Sequence, residues 1–516
     1  MKKILISTVA VSALLLTVAC KTDFDTDVNS VQVTKGDADF SKYVALGNSL
    51  TAGYRDGTLY SDGQNESYPS MVAKQMQLAG GGAFKQPMIP NNTGGFTDLF
   101  AASGNTSFYG KLTLKVVNGS LSPVASAPGA NLDNVSKDGP FNNMGVPGAR
   151  VAHLLAPGYG NPAGLASNPK TANPYFVRFA SSPATSVLAD FIAQKPTFFS
   201  LWIGNNDALL YAMAGGDPSI EPLTPSEQFG QYYNMLINEI STKTSAKGVI
   251  ANIPNVTSIP ALTTIPYNPI TAAVLGNGNV AVGNANIDAL NAQLYGPLVQ
   301  ILNLVGGGDR IKLLSKTEPN PVLLKDESLE NLGAKIQFAA ANSGNPGLVA
   351  LAPYLAATYG QARQAKAGDL MPLTTRAAIG TAAPVSPGVP ATLASRGIAY
   401  PFEDRFVLTI TEVAEVNSTI AAYNQVIKAA ADAKGYAFVD ANAKMTELGA
   451  ASGIQYDGIR YTATFVTGGT FSLDGVHLTG RGYAVIANEF IKAINSKYHS
   501  TLPQVTVNQY SGVTFP

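Results

Sequence analysis

The chain has 516 residues, and 34 Lys and Arg offset 34 Asp and Glu, leaving no net formal charge with histidine neutral. Only 13% of residues are charged, about half the usual share, whereas 46% are hydrophobic and glycine and proline number 50 and 32. That composition fits a buried core carrying long loop-rich insertions, and the absence of basic clusters past the N-terminus argues against nucleic acid as a partner.

The first residues read as an export signal. Met1-Lys2-Lys3 is basic, and Ile4 to Leu16 is apolar but too short for a comfortable membrane span. Leu16-Thr17-Val18-Ala19-Cys20 resembles a bacterial lipobox, which implies cleavage before Cys20 and lipidation at that residue, the only cysteine of the chain. Asp23, Asp25 and Asp27 follow closely and resemble the surface-export signals of Bacteroidetes lipoproteins. We therefore expect a signal peptide over 1–19, a lipidated tether over 20–40, and a protein anchored to the outer membrane through Cys20 and exposed on the cell envelope. Several acyl chains on one cysteine hold firmly, since each buried methylene contributes about 0.8 kcal/mol.

Beyond the tether, Tyr43 to Gly47 is a short apolar run ending in Gly47-Asn48-Ser49, a strand feeding a tight turn and a helix. A helix capped near Ser67 or Ser70 comes next. Residues 79–140 lack a sustained period and read as an insertion, with a hairpin near Lys111 to Val117 where apolar and polar residues alternate. Phe141 to Arg150 is a second run ending in a glycine turn, before a helix from Val151 to Leu155. A helix near Ala184 to Gln194 precedes Thr197 to Ile203, a continuous apolar strand suited to a parallel sheet.

Thr224-Pro225-Ser226-Glu227 has the form of a capping box. Its helix leads to a strand over Gly248 to Pro254. Residues 261–404 break this rhythm and read as one large insertion, helical and packed over the carboxyl edge of the sheet. A long helix through Val413 to Ile427, a strand over Tyr436 to Asp440, a hairpin over 454–470 turned at Gly468-Gly469, and a last helix from about Tyr483 complete the domain. Helices alternating with apolar strands predict an α/β fold with a central parallel sheet and large insertions over 41–500, followed by a tail over 501–516.

The chemistry centres on few residues. Of 3 histidines, His499 reads as solvated and His153 as packed within a helix. His477 follows Asp474 by three residues, a spacing at which the carboxylate reaches one imidazole nitrogen and frees the other to take a proton from a serine. Ser49 is the candidate nucleophile. Its own N–H, a backbone N–H at Gly148 and the side-chain amide of Asn206 are candidate donors to an oxyanion.

Taken together, Gly47-Asn48-Ser49-Leu50, Gly145-Val146-Pro147-Gly148, Gly204-Asn205-Asn206-Asp207 and Asp474-Gly475-Val476-His477 resemble, in order, the four blocks of the GDSL/SGNH hydrolase family. The resemblance implies a flavodoxin-like three-layer α/β/α fold and a metal-free, cofactor-free serine esterase or lipase. In it Ser49 is nucleophile, His477 base, Asp474 its orienting partner, and Ser49, Gly148 and Asn206 the oxyanion hole. It covers about half of the chain and leaves both insertions outside. Asn48 departs from the family's usual aspartate. We expect a monomer acting on a lipid ester or an acylated glycan. The same constellation serves an O-acetyltransferase, and a non-catalytic surface lipoprotein binding glycan or lipid is the third reading.

Overall fold

The computed structural model describes residues 32–516 apart from 104–107 and 118. The expected signal peptide and Cys20, the expected lipidation site, lie outside the described residues.

Five short apolar runs build one all-parallel sheet. They are β1 (Tyr43–Gly47), β2 (Asn143–Gly145), β3 (Phe198–Trp202), β4 (Lys247–Ala251) and β5 (Ala437–Val439). Their order is β2-β1-β3-β4-β5. The chain adds β2 on one side of β1, then crosses to place β3 on the other. A switch point therefore lies between β1 and β3, where open α/β sheets form a crevice at the carboxyl ends of their strands.

The helices nearest the crevice are α1 (Ser49–Ala52), α2 (Tyr68–Leu78), α3 (Val151–Leu155), α4 (Val187–Ala193) and α5 (Asn206–Met213). Farther along come α6 (Ser226–Lys243), α7 (Ile410–Lys434), α8 (Ala441–Gly449) and α9 (Gly480–Tyr498). Because side chains alternate along a strand, β3 presents large rings to both faces. Phe198 meets Tyr498 of α9 at 5.5 Å and Trp202 meets Tyr68 of α2 at 5.6 Å, whereas Phe199 turns the other way to Phe191 of α4 at 6.1 Å. On that second side α6 packs on α7 through Phe229 stacked on Tyr423 at 3.9 Å. The expected α/β class with a parallel sheet is thus what the chain adopts.

Several local expectations are corrected. Thr224 does not cap α6, whose N-cap is Pro225; the Thr224 hydroxyl instead donates to Asp207 Oδ1 at 3.0 Å. A capping box forms at Thr409 and Glu412, opening α7. The hairpin expected over 454–470 is shorter. Ile454–Tyr456 pairs with Ile459–Tyr461, and the turn is Asp457-Gly458, both at positive φ, where Asp-Gly suits the strand twist better than Gly468-Gly469. The first hairpin is where it was expected, Gly110–Val117 against Ser120–Ser126.

Neither end of the domain hangs free. Ala38 and Phe40, inside the expected tether, are buried, and Phe40 meets Phe198 edge-on at 5.0 Å. Past α9, Val505 N donates to Asn488 Oδ1 at 2.8 Å and Val507 is buried, so the tail is packed. The large insertion is helical over Val280–Leu290, Gly296–Val305, Gly333–Ala341 and Pro346–Tyr359 and has its own apolar core around Tyr295, Leu302 and Tyr359. A buried Arg363 pairs there with Asp326 and Asp369, each at 2.6 Å. Asp369 Oδ1 also accepts from Ile410 N at 2.9 Å, tying the insertion to the start of α7.

Gly145 shows how tightly the crevice is built. A Cβ at that position would stand 2.3 Å from the backbone nitrogen of Ala52 in α1. Gly145→Ala is therefore expected to destabilise the fold by about 1–3 kcal/mol, the ordinary range for overpacking, read as a lower denaturant midpoint with unchanged slope.

Candidate functional site

Strand register sets the site. Gly47 pairs with Gly145 on one side and with Trp202 on the other, so β1, β2 and β3 end at one level. The turns that follow them carry Asn48-Ser49, Val146 to Ala149, and Gly204 to Asn206.

Asn48 joins two of these turns. It caps α1, its Oδ1 accepting from Leu50 N at 3.1 Å, while its Nδ2 donates to Asn205 Oδ1 at 3.1 Å. Asn48 is 1% exposed. Ser49 takes the first position of the helix, where a backbone N–H has no partner within the helix. Neither that N–H nor the Ser49 hydroxyl makes a hydrogen bond among the described residues.

Ser49, Asn206 and His477 line one small cleft of about 40 Å³, walled by Leu50, Leu209, Val256 and Val476. No hydrogen bond joins the Ser49 hydroxyl to His477. The two side chains share the wall of the cleft without bonding to each other.

His477 sits on a tight loop between Phe471 and Leu478. Ser472 N donates to His477 O at 2.8 Å, and Gly475 turns the chain at φ +71°. His477 Nδ1 lies 2.9 Å from Asp474 Oδ2. An ionised carboxylate only accepts, so Nδ1 carries the proton and Nε2 is left as the basic nitrogen of the neutral ring. Asp474 also accepts from the backbone N–H groups of Val476, His477 and Gly57 and from the Ser472 hydroxyl, at 2.8–3.0 Å. Burial works to raise its pKa. The attraction of His477 when its ring is protonated, together with these hydrogen bonds, outweighs burial and holds it far below the usual carboxylate range.

The loop is held to the opposite end of the sequence. Asp56 N donates to Ser472 Oγ and Leu473 N donates to Asp56 Oδ1, both at 3.0 Å. Tyr60 OH donates to Asp56 Oδ2 at 2.6 Å, and the Tyr54 ring lies 4.6 Å from the His477 ring. Asp56, Ser472 and Tyr54 escaped the sequence reading, because nothing local marks a contact spanning more than 400 residues.

Asn206 starts α5, and its Nδ2 donates to Ala149 O at 2.9 Å, leaving the second amide hydrogen for the cleft. Asp207 beside it accepts from Val151 N at 3.0 Å and is pushed up to about 6 by burial, against the hydrogen bonds it accepts. Gly148 adopts φ +81° and stands exposed at the turn next to Ala149; it does not line the cleft that Ser49, Asn206 and His477 share. Its N–H makes no hydrogen bond among the described residues, whereas the Gly145 N–H is taken by Asn143 Oδ1 at 3.0 Å.

The other histidines stand apart from the cleft. His499 is exposed and pairs with Asp37 at 2.7 Å. His153 Nδ1 accepts from Arg150 N at 3.1 Å, and its ring stacks on Tyr159 at 4.7 Å. Burial, helped by the charge of Arg150, lowers its pKa to about 4.

That shift predicts a pH effect. Unfolded histidine titrates near 6.5, so between about pH 6.5 and pH 4 the unfolded chain binds the extra proton and stability falls with pH. By pH 5 the loss from His153 is at most about 2 kcal/mol. His153→Gln should melt with a shallower decline in Tm than the wild type between pH 7 and pH 5, and parallel declines would show that His153 is not the group responsible. Comparison of this chain with protein-family models, with curated proteins and with solved structures finds no match.

Proposed function

We propose that this chain is a carboxylic ester hydrolase of the GDSL/SGNH type, acting through Ser49, His477 and Asp474. The observation that carries the proposal is that Ser49 and His477 line one cleft at the switch point while Asp474 holds His477 Nδ1 at 2.9 Å. The strand order β2-β1-β3-β4-β5, with rings packed on both faces of β3, supports the finer flavodoxin-like, three-layer reading of the fold.

In the reaction, His477 Nε2 takes the proton of the Ser49 hydroxyl, and Oγ attacks the ester carbonyl carbon. The carbonyl oxygen gains negative charge and is received by the Ser49 and Gly148 N–H groups and the free amide hydrogen of Asn206. His477 returns its proton to the leaving alkoxide. Water, deprotonated by His477, then attacks the acyl carbonyl; the bond to Ser49 Oγ breaks, His477 returns the proton to Oγ, and the acid is released. Asp474 stays ionised throughout, which its low pKa favours, and balances the imidazolium each time it forms.

The protein acts as a monomer fastened to the outer membrane through lipidated Cys20, with no metal or cofactor. Among the described residues no helix is long and apolar enough to cross a membrane.

Hydrolysis of p-nitrophenyl esters tests the reading. Ser49→Ala should reduce kcat by roughly a million-fold and Asp474→Asn by roughly 10,000-fold, and Asn206→Ala by about 100- to 1000-fold. A fluorophosphonate should label Ser49, identified by mass on the peptide that contains it. Full turnover by Ser49→Ala would refute the proposal. Absence of turnover by the wild type on every ester, with transfer to an added sugar hydroxyl, would replace hydrolysis with acyl transfer.

A further inference from the structure

A second hollow, of about 80 Å³, adjoins the cleft. Leu50, Pro254, Ile259 and Val476 line both spaces, so the two meet at these four apolar side chains. Beyond them the hollow runs between α8 and α9, over Trp202, Met445, Leu448 and Ile486. Its polar groups face elsewhere. The Lys444 ammonium pairs with Glu447 at 2.7 Å and lies 3.6 Å from Glu489. Thr470 Oγ1 donates to Thr462 O at 2.7 Å, and Trp202 Nε1 to Asn252 O at 3.0 Å. Nothing in the wall is left to recognise a sugar hydroxyl, while a hydrocarbon entering it deprives no polar group of a partner.

We propose that this hollow receives the hydrocarbon acyl chain of the ester, which makes the substrate a fatty acyl ester and not an acetylated glycan. The inference rests on Ser49 being the nucleophile. The acyl group is assigned here, and not the alcohol, for a kinetic reason. The alcohol must leave before water attacks, whereas the acyl group stays bonded to Ser49 through both steps, and a walled space suits the part that stays.

The test compares kcat/KM along two ester series and adds a binding measurement that needs no turnover. With p-nitrophenol as the constant alcohol, kcat/KM should rise about fourfold per methylene from acetate upward until the hollow is filled. Acetates of increasingly long alcohols should show no such rise. Ala441→Leu, at the buried start of α8 in the wall of the hollow, should cut the octanoate-to-acetate ratio at least tenfold, and Met445→Ala should move the optimum to longer chains. Trp202 is the only tryptophan of the chain, so its fluorescence reports the hollow directly. Ser49→Ala titrated with sodium octanoate should show a saturable change that sodium acetate does not produce.

Ser49-dependent hydrolysis with a flat acyl series and a silent Trp202 would overturn the acyl hollow and leave the esterase reading standing. A rate that follows alcohol length instead would also overturn it. Should the wild type cleave no ester, the esterase reading fails, and a saturable octanoate signal would still support a hydrocarbon site while its absence would end that idea as well.

Discussion

Everything at the cleft depends on three parallel strands ending level with one another. Gly47 stands opposite both Gly145 and Trp202, and Val146 N donates to Gly47 O at 3.0 Å just past the last pair. Parallel pairing spaces its hydrogen bonds evenly, so a slip by one residue would reverse every side chain of β1 between the two apolar faces. With Tyr43 to Gly47 wholly buried, that slip is prohibitive. The register consequently fixes the heights of Ser49 and Asn206 without any direct bond between them. The Asn48–Asn205 hydrogen bond then locks the two turns sideways.

The proposed base arrives by a different route. His477 is supplied by a loop before α9, which no strand of the sheet positions. Polar contacts place it: Asp56 and Gly57 accept and donate across to Ser472, Leu473 and Asp474, and Ala261 N donates to Gly475 O at 2.9 Å. Burial raises the Asp56 carboxyl, while hydrogen bonds from Tyr60 and Leu473 and the charge of Arg55 pull the other way. Arg55 continues the network to Glu66 at 2.7 Å. A buried network of this kind is sensitive to the loss of any member, because each partner left behind is an unsatisfied polar group in a low-dielectric setting. The segment just after the proposed nucleophile thereby becomes the scaffold for the proposed base.

The sequence made the strands and the short motifs legible for a simple reason. Continuous apolar runs such as Thr197 to Ile203 have one common use, and a Gly-Asn-Ser turn after such a run has few. His477 stood out because only 3 histidines were in play and an aspartate lay three residues before it. What could not be read was non-local. The Asp56–Ser472 clasp joins residues 416 apart, and Thr224 met the pattern of a capping box yet gave its hydroxyl to Asp207. Tertiary demand overrode local propensity there, since Asp207 is buried and needs the donor more than an exposed helix start does. The Asp457-Gly458 turn is different: Asp-Gly is itself a tight-hairpin signal, local and legible, and a better fit to the strand twist than Gly468-Gly469.

Asn48 brings these threads together. An amide at this position both accepts, from Leu50 N, and donates, to Asn205 Oδ1. A carboxylate of the same shape would keep the cap and lose the donor, and Asn205 would have to turn its own amide around to supply one. It would also place a charge at a site 1% exposed, beside the Ser49 N–H. Asp474, the anion the proposed mechanism needs, bonds Nδ1 and leaves Nε2 free, where it would favour a cation forming on His477. The neutral cap and the carboxylate therefore hold different parts of the site: one joins the turns, the other fixes the ring of the proposed base.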